Sequence, residues 1–252
     1  MHHLHSTKIS LSLFFVFLLS TAKAQYSTSS NLPDHDDKPY YFGIILGRNT
    51  SYHKLTYHPS FRNELSKVGS IQSSDGNGVQ LGLHANLQLS RRFDLRFYPL
   101  NLIFANQKLT ITDTSRNPNL LITQPNTIDE PVKLNETIMS FPLQIRFKSD
   151  RINNFRFYSV AGIKYDILLN YDNFSKITSI PFKPSDFGIE TGIGFQFFFP
   201  YFILSPELKY SYGMNNVHSR APQDQYSSLI NKISNRMILF SLHFEGGIFN
   251  TR

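Results

Sequence analysis

The chain has 252 residues, a formal charge of +7 at pH 7 and no cysteine, which excludes disulfides and thiolate metal sites. Its 25 basic residues form no run of five or more, and no recognition motif accompanies them. The sequence therefore argues against nucleic acid as a partner.

The N-terminus has the pattern of a secretory signal. Lys8 precedes an apolar run over residues 9–19, and Ala22-Lys23-Ala24 provides the small residues of a cleavage site. The run is shorter than the roughly 20 residues that a membrane-spanning helix needs. We therefore predict a signal peptide over residues 1–24, a flexible periplasmic lead rich in Ser, Asp and Asn over residues 25–39, and a barrel domain over residues 40–252.

Alternation of apolar and polar residues is the main structural signal. Over residues 78–89 the two faces separate completely, with one face consisting of Val79, Leu81, Leu83, Ala85, Leu87 and Leu89 and the other of Gly78, Gln80, Gly82, His84, Asn86 and Gln88. A period of two predicts a β-strand with one apolar and one polar face. Residues 137–148, 186–199 and 202–212 have the same pattern, and each is long enough to cross a membrane as a tilted strand.

Less regular strands are predicted over residues 40–48, 93–106, 155–169 and 236–244, which brings the total to eight. Short turns (90–92, 149–154 and 200–201) alternate with long polar segments (49–77, 107–136, 170–185 and 213–235), and residues 226–234 could form one or two helical turns. This alternation is typical of an all-β, eight-stranded antiparallel transmembrane β-barrel, with short periplasmic turns and long extracellular loops. Such a chain belongs in the outer membrane of a bacterium.

A soluble lipocalin-like barrel is the structural alternative, because it also alternates and is also exported. In a lipocalin, the apolar face lines a ligand pocket. The polar faces here contain Arg, Lys, Glu and Gln together with glycines, which suits a narrow lumen of charge pairs better than a surface in water. The polarity therefore favours the membrane barrel.

A lumen this narrow requires buried ionisable groups to pair with each other. We predict a structural lumen charge network rather than a proton path or a substrate site, and its members are Arg96, Arg146, Arg156, Lys164, Asp166, Glu190, Glu207 and Lys209. Cations outnumber acids in this set. Asp94 or Asp186 could supply the difference.

The sequence offers little for catalysis. Some small barrels modify lipids with a Ser-His-acid set, and Ser241 and His243 share a face, but they fall near the end of the last strand, away from outer-leaflet lipid. His84 faces the predicted lumen, while His53, His58 and His218 fall in predicted loops. Gly192 and Gly194 lie within a strand, so they are better explained by the space they spare than by dinucleotide binding. We expect no catalytic residue, cofactor or metal site.

The hairpins contain distinctive segments that together extend over most of the mature chain: Phe93-Asp94-Leu95-Arg96-Phe97 with Pro99, Phe141-Pro142-Leu143, Arg151-Ile152-Asn153-Asn154-Phe155-Arg156, residues 186–195 and residues 205–216. In these segments the chain resembles the PorT family, also called SprT, of outer-membrane proteins of Bacteroidetes-type bacteria. The Arg151–Arg156 turn and Ser205-Pro206-Glu207-Leu208-Lys209 are the segments most particular to this family.

This resemblance implies a non-enzymatic component or accessory of the type IX protein secretion system, needed also for gliding in motile species. The implied partners are outer-membrane lipid and other secretion-system proteins, and no small-molecule substrate is expected. An eight-stranded barrel is too narrow to pass folded cargo, so such a protein must act through its surfaces. The alternatives are a generic small barrel that serves as an anchor or adhesin, and, less favoured, a lipid-modifying enzyme or a lipocalin-like binder.

Overall fold

The structure is a computed structural model that describes residues 30–58, 68–113, 132–171, 182–219 and 230–246. The predicted signal peptide lies outside these residues. The strands are β1 (Tyr40–Tyr57), β2 (Val68–Ser74), β3 (Gly76–Gln88), β4 (Phe93–Asp113), β5 (Val132–Lys148), β6 (Phe155–Leu168), β7 (Ser185–Phe198), β8 (Ile203–Gly213) and β9 (Ile230–Glu245).

The strands close into an antiparallel barrel. Each consecutive pair from β4 to β9 is hydrogen-bonded, β9 pairs with β1, β1 with β3, and β3 with β4. β2 and β3 both pair with β4 and are separated only by Asp75, so they form two parts of one wall strand. The predicted eight-stranded antiparallel barrel is therefore confirmed.

The apolar face of each strand points outward. In β3, Val79, Leu81 and Leu83 are 45–51% exposed, whereas Gln80 and His84 are 1% exposed. Apolar side chains gain by facing lipid, and polar side chains gain by meeting each other in the lumen. This polarity rules out a lipocalin-like barrel, which has its apolar face inside.

The two ends of the barrel differ. The short-turn end carries the connections 89–92, 149–154 and 199–202, and β1 begins and β9 ends there. In outer-membrane barrels this end faces the periplasm. The opposite, long-loop end carries the connections of ten or more residues.

At the long-loop end the strands continue beyond their predicted limits. β1 runs to Tyr57, β4 runs to Asp113, and β9 begins at Ile230 because its ladder with β1 extends to Tyr57. The loops predicted over 49–77, 107–136 and 213–235 are therefore wrong in part, as is the helix predicted within 226–234, of which 230–234 is strand. These extensions carry polar residues on both faces, so alternation does not reveal them. The remaining residues, 226–229, lie outside the described part.

Part of the predicted periplasmic lead has a defined structure on the barrel. Pro33–Asp37 form a short 3-10 helix against the short-turn end, and His35 in this helix is only 4% exposed. Its Ser- and Asp-rich composition resembles that of a disordered segment, but specific polar contacts hold it to the barrel. Residues 25–29 lie outside the described residues.

Among the residues the structure describes, no helix is long and apolar enough to cross a bilayer.

Candidate functional site in the barrel lumen

The structure places all eight predicted lumen residues in the interior. Each is at most 5% exposed: Arg96, Arg146, Arg156, Lys164, Asp166, Glu190, Glu207 and Lys209. They do not form one cluster. Most lie in a central cluster, Lys164 and Asp166 lie toward the long-loop end, and Arg156 faces the N-terminal segment at the short-turn end.

Two arginines organise the central cluster. Arg96 donates to Glu207 Oε2 at 2.7 Å and to Glu245 Oε1 at 3.0 Å. Arg146 donates to the same Glu245 oxygen at 3.0 Å and to Asp94 Oδ2 at 2.6 Å. The five side chains form a continuous chain of charge-assisted hydrogen bonds that joins β4, β5, β8 and β9 across the lumen.

Lys148 and Glu245 belong to the central cluster but were absent from the predicted set, and Asp94, named above as a possible source of negative charge, belongs to it as well. Lys148 lies 2.7 Å from Asp94 Oδ1, and Glu245 contacts both arginines. Arg96, Arg146, Lys148 and Lys209 thereby face an equal number of acids, Asp94, Glu190, Glu207 and Glu245. The alternating pattern could have identified Asp94 and Lys148 as lumen residues. Asp94 lies on the same face of β4 as Arg96, and Lys148 lies on the same face of β5 as Arg146.

Two tyrosines complete the central cluster. Tyr158 donates to Glu207 Oε2 at 2.7 Å, and the Arg146 guanidinium lies 5.0 Å from the centre of its ring. Tyr98 donates to Gln144 Oε1 at 3.2 Å. Gly194 leaves space for the Tyr158 ring, since a Cβ at this position would lie 2.3 Å from Tyr158 Cζ. Gly194 therefore reflects packing against a lumen side chain, whereas a Cβ at Gly192 would lie 2.5 Å from the Leu208 carbonyl oxygen of the neighbouring strand.

A second cluster lies toward the long-loop end. His53, predicted to lie in a loop, belongs to β1 and is buried, with its Nε2 atom 2.9 Å from Glu136 Oε1. Lys164 pairs with Asp166, and Asp186 sits opposite Asp166 in the β6–β7 ladder. The cavity lined by His53, Glu136, Asp166, Phe182 and Asp186 measures about 30 Å³. That volume accommodates a water molecule or two and is far too small for an organic ligand.

Ser241 and His243 meet inside the lumen but do not form a catalytic triad. Ser241 Oγ lies 3.1 Å from His243 Nε2, and Glu207 Oε1 lies 3.5 Å from the same nitrogen. In a triad the acid must bind the other ring nitrogen, so that Nε2 is free to take the serine proton. Both side chains are also fully buried, which keeps a substrate from the serine.

His84, His243 and Glu245 meet the geometric requirement for a metal site, since each brings one donor atom within 4.8 Å of the others. Zinc accepts such nitrogen and oxygen donors. However, Glu245 Oε1 already accepts hydrogen bonds from Arg96 and Arg146, both at 3.0 Å. A divalent cation would lie beside two guanidinium groups in a cluster whose charges are already matched, so the electrostatics oppose metal binding.

A closed barrel with lipid-facing apolar residues and a charged lumen defines an outer-membrane β-barrel protein. Residues 46–219 match the family model described as outer membrane protein beta-barrel domain. The match covers more than half of the chain, and the chain belongs to this family. Its location is accordingly the outer membrane.

Solved structures of similar fold include OprG of Pseudomonas aeruginosa, with 14% identity, 82% of this chain and 94% of that chain covered, and a TM-score of 0.42. Neisserial surface protein A has 12% identity, with 82% of this chain and 97% of that chain covered, and a TM-score of 0.42. The attachment invasion locus protein Ail of Yersinia pestis, in complex with the heparin analogue sucrose octasulfate, has 10% identity, coverage of 82% and 99%, and a TM-score of 0.38. At these identities the likeness extends to the general fold alone. No curated protein matches significantly.

Proposed function

We propose that this barrel is a non-enzymatic component or accessory of type IX protein secretion, and that it supports gliding where the host is motile. The proposal starts from the resemblance of its hairpins to the PorT/SprT family, in particular at residues 151–156 and 205–209. Its proposed partners are outer-membrane lipid and other proteins of the secretion system.

The filled lumen is the structural observation that supports a role through the surface. The side chains of Arg96, Arg146, Tyr98 and Tyr158 are all at most 2% exposed. Their hydrogen bonds cross the lumen, since Arg96 and Tyr158 both donate to Glu207, and the Tyr98 hydroxyl accepts from Arg96 and donates to Gln144. Moving cargo through this space would break several buried ion pairs, at a cost of several kcal/mol each. The protein therefore acts on secretion as a scaffold, through its outer wall, its periplasmic turns or its extracellular end.

The second candidate is an anchor or adhesin with no part in secretion. The observation that favours it is the length of the strands at the long-loop end. β4 has 21 residues and β1 has 18, whereas roughly 9 to 11 suffice to cross a membrane. The surplus raises a stiff sheet above the membrane surface, and such a platform could present a binding surface outside the cell.

Gene deletion separates the two functions. We expect proteins that carry a C-terminal sorting domain to disappear from the culture medium and accumulate in the periplasm, and the chain supplied in trans to restore their secretion. An unrelated outer-membrane barrel and a periplasmic enzyme serve as controls for general envelope damage. Normal cargo secretion in the deletion strain would exclude the secretion role. Reduced attachment to surfaces in that case would support the adhesin.

A further inference from the structure

A bidentate ion pair holds residues 31–38 across the short-turn end of the barrel. The two carboxylate oxygens of Asp36 accept hydrogen bonds from Arg156 Nη1 and Nη2 at 2.8 and 2.6 Å. Gln88 Nε2 donates to the Asp36 carbonyl oxygen at 2.7 Å. A paired guanidinium and carboxylate fix both distance and orientation, so this contact sets the position of the segment on the barrel.

A second arginine holds the backbone of the same segment. Arg151, in the turn between β5 and β6, donates to the carbonyl oxygens of Asn31 and Leu32. Its guanidinium lies 3.7 Å from the centre of the Phe198 ring. The Asn31 amide N–H donates to Asn154 Oδ1 at 2.8 Å, and its side chain donates to the Phe198 carbonyl oxygen at 3.0 Å. The short-turn end thus binds peptide groups through Arg151 and Asn154 in addition to the carboxylate bound by Arg156.

The His35 ring fills the centre of this contact. It lies 4.6 Å from the Tyr41 ring and 5.9 Å from the Phe198 ring, edge to face with both. Burial lowers the pKa of His35 to about 4, although Glu245 and Asp36 act in the opposite direction. The other charged groups around it are Arg146 and Lys148 of β5, which favour the neutral ring, and Arg156, which is paired with Asp36.

We infer that the short-turn end of the barrel is a binding site for an acidic peptide segment, that the chain's own residues 31–38 occupy it, and that acidification releases them. The site consists of Arg151, Arg156, Asn154, Phe198 and Tyr41. It takes a carboxylate, two backbone carbonyl groups and an uncharged ring. Release would uncover two arginines beside an aromatic ring on the periplasmic face.

The direction of the pH effect follows from proton uptake. An undocked His35 has an ordinary pKa of about 6.5, so between pH 6.5 and 4 the undocked segment binds more protons than the docked one. Docking is therefore at full strength above pH 6.5 and weakens as the pH falls toward 4. At pH 4.5 the docking constant should be roughly 50- to 100-fold lower than at pH 7.5. Burial raises the pKa of Asp36, but the hydrogen bonds and charge of Arg156 outweigh this and hold it below its ordinary 3.8, so its titration falls at lower pH.

The test uses the absence of cysteine from the chain. Asp34→Cys places a single thiol on the exposed side of the 3-10 helix, where a spin label reports the motion of the segment. With the full barrel in lipid vesicles, we expect an immobile label at pH 7.5 and a reversible mobile population at pH 4.5. A gel-shift assay for the folded barrel at both pH values separates release of the segment from loss of the barrel.

Four variants in the labelled background decide the outcome. Asp36→Asn should mobilise the label at pH 7.5, whereas its matched control Asp37→Asn, at an exposed acid of the same helix, should not. His35→Phe retains a ring without a titrating group and should keep the segment docked at pH 4.5, and His35→Leu gives the same comparison with a smaller side chain. Equal label mobility at both pH values in the parent, or the same acid release in both His35 variants, would overturn the inference.

Discussion

Arg96 and Glu207 form a direct ion pair inside the barrel, 2.7 Å between Nη1 and Oε2, although 111 residues separate them in the chain. The pair joins β4 to β8, which are not neighbours in the barrel wall. Tyr158 and Lys209 also contact Glu207, so the pair belongs to a larger network. Contacts of this kind tie opposite sides of the barrel together.

Removing one member of this pair should destabilise the barrel strongly. Arg96→Gln leaves Glu207 and Glu245 buried with fewer donors, and we expect a loss of about 3–5 kcal/mol in the free energy of unfolding. Urea titration in lipid vesicles, with the folded fraction read from the gel shift, measures this loss. The control is Arg92→Gln, which breaks the exposed pair with Asp150 and should cost at most about 1 kcal/mol.

A double-mutant cycle checks that the effect comes from the pair. Glu207→Gln alone should also destabilise the barrel, and the double variant should lose less than the sum of the two single losses. Additive losses would mean that each residue acts through separate partners, and that the observed contact contributes little.

Most of the wall could be predicted from the sequence, because the period of two specifies both the strand and its lipid-facing side. The same period marks the inward residues, and the eight predicted residues are all buried. Their pairing could not be predicted. Glu245 contacts Arg96 and Arg146 only because β9 pairs with both β1 and β8. The pairing of β9 with β1 closes the barrel, and it joins strands that are far apart in the sequence. The docked segment around His35 was missed because its contacts depend on turns far away in sequence.

A methyl group at Gly194 should disturb the lumen. A Cβ there would lie 2.3 Å from Tyr158 Cζ and 2.4 Å from its hydroxyl oxygen, so Gly194→Ala must displace the ring and lengthen its 2.7 Å hydrogen bond to Glu207. We expect a loss of about 1–3 kcal/mol in unfolding free energy, the usual cost of overpacking. Gly47→Ala is the matched control, since its nearest neighbours lie at 3.0–3.1 Å and need shift only slightly. Equal losses from both substitutions would show that the ring can move freely.

Metal ions should not alter the stability of the barrel. The donor set of His84, His243 and Glu245 lies beside two arginines that already bond to Glu245. We expect the same thermal unfolding temperature with a chelator, without one and with added Zn²⁺. An increase with Zn²⁺ that disappears in His84→Gln would show that the cluster binds metal despite the guanidinium groups.

A charge on the lipid-facing side should distinguish the membrane-embedded wall from the turns. Ile193 lies near the middle of β7, points outward and is 48% exposed, so in the membrane its surroundings are lipid. Ile193→Arg should cost about 2–4 kcal/mol in unfolding free energy in vesicles, because the charge must enter the hydrocarbon layer or distort it. Tyr201→Arg is the control, since Tyr201 is 83% exposed in the short turn between β7 and β8, outside the hydrocarbon region. If the two substitutions cost the same, the middle of β7 does not lie in lipid, and the assignment of the outer face would have to be revised.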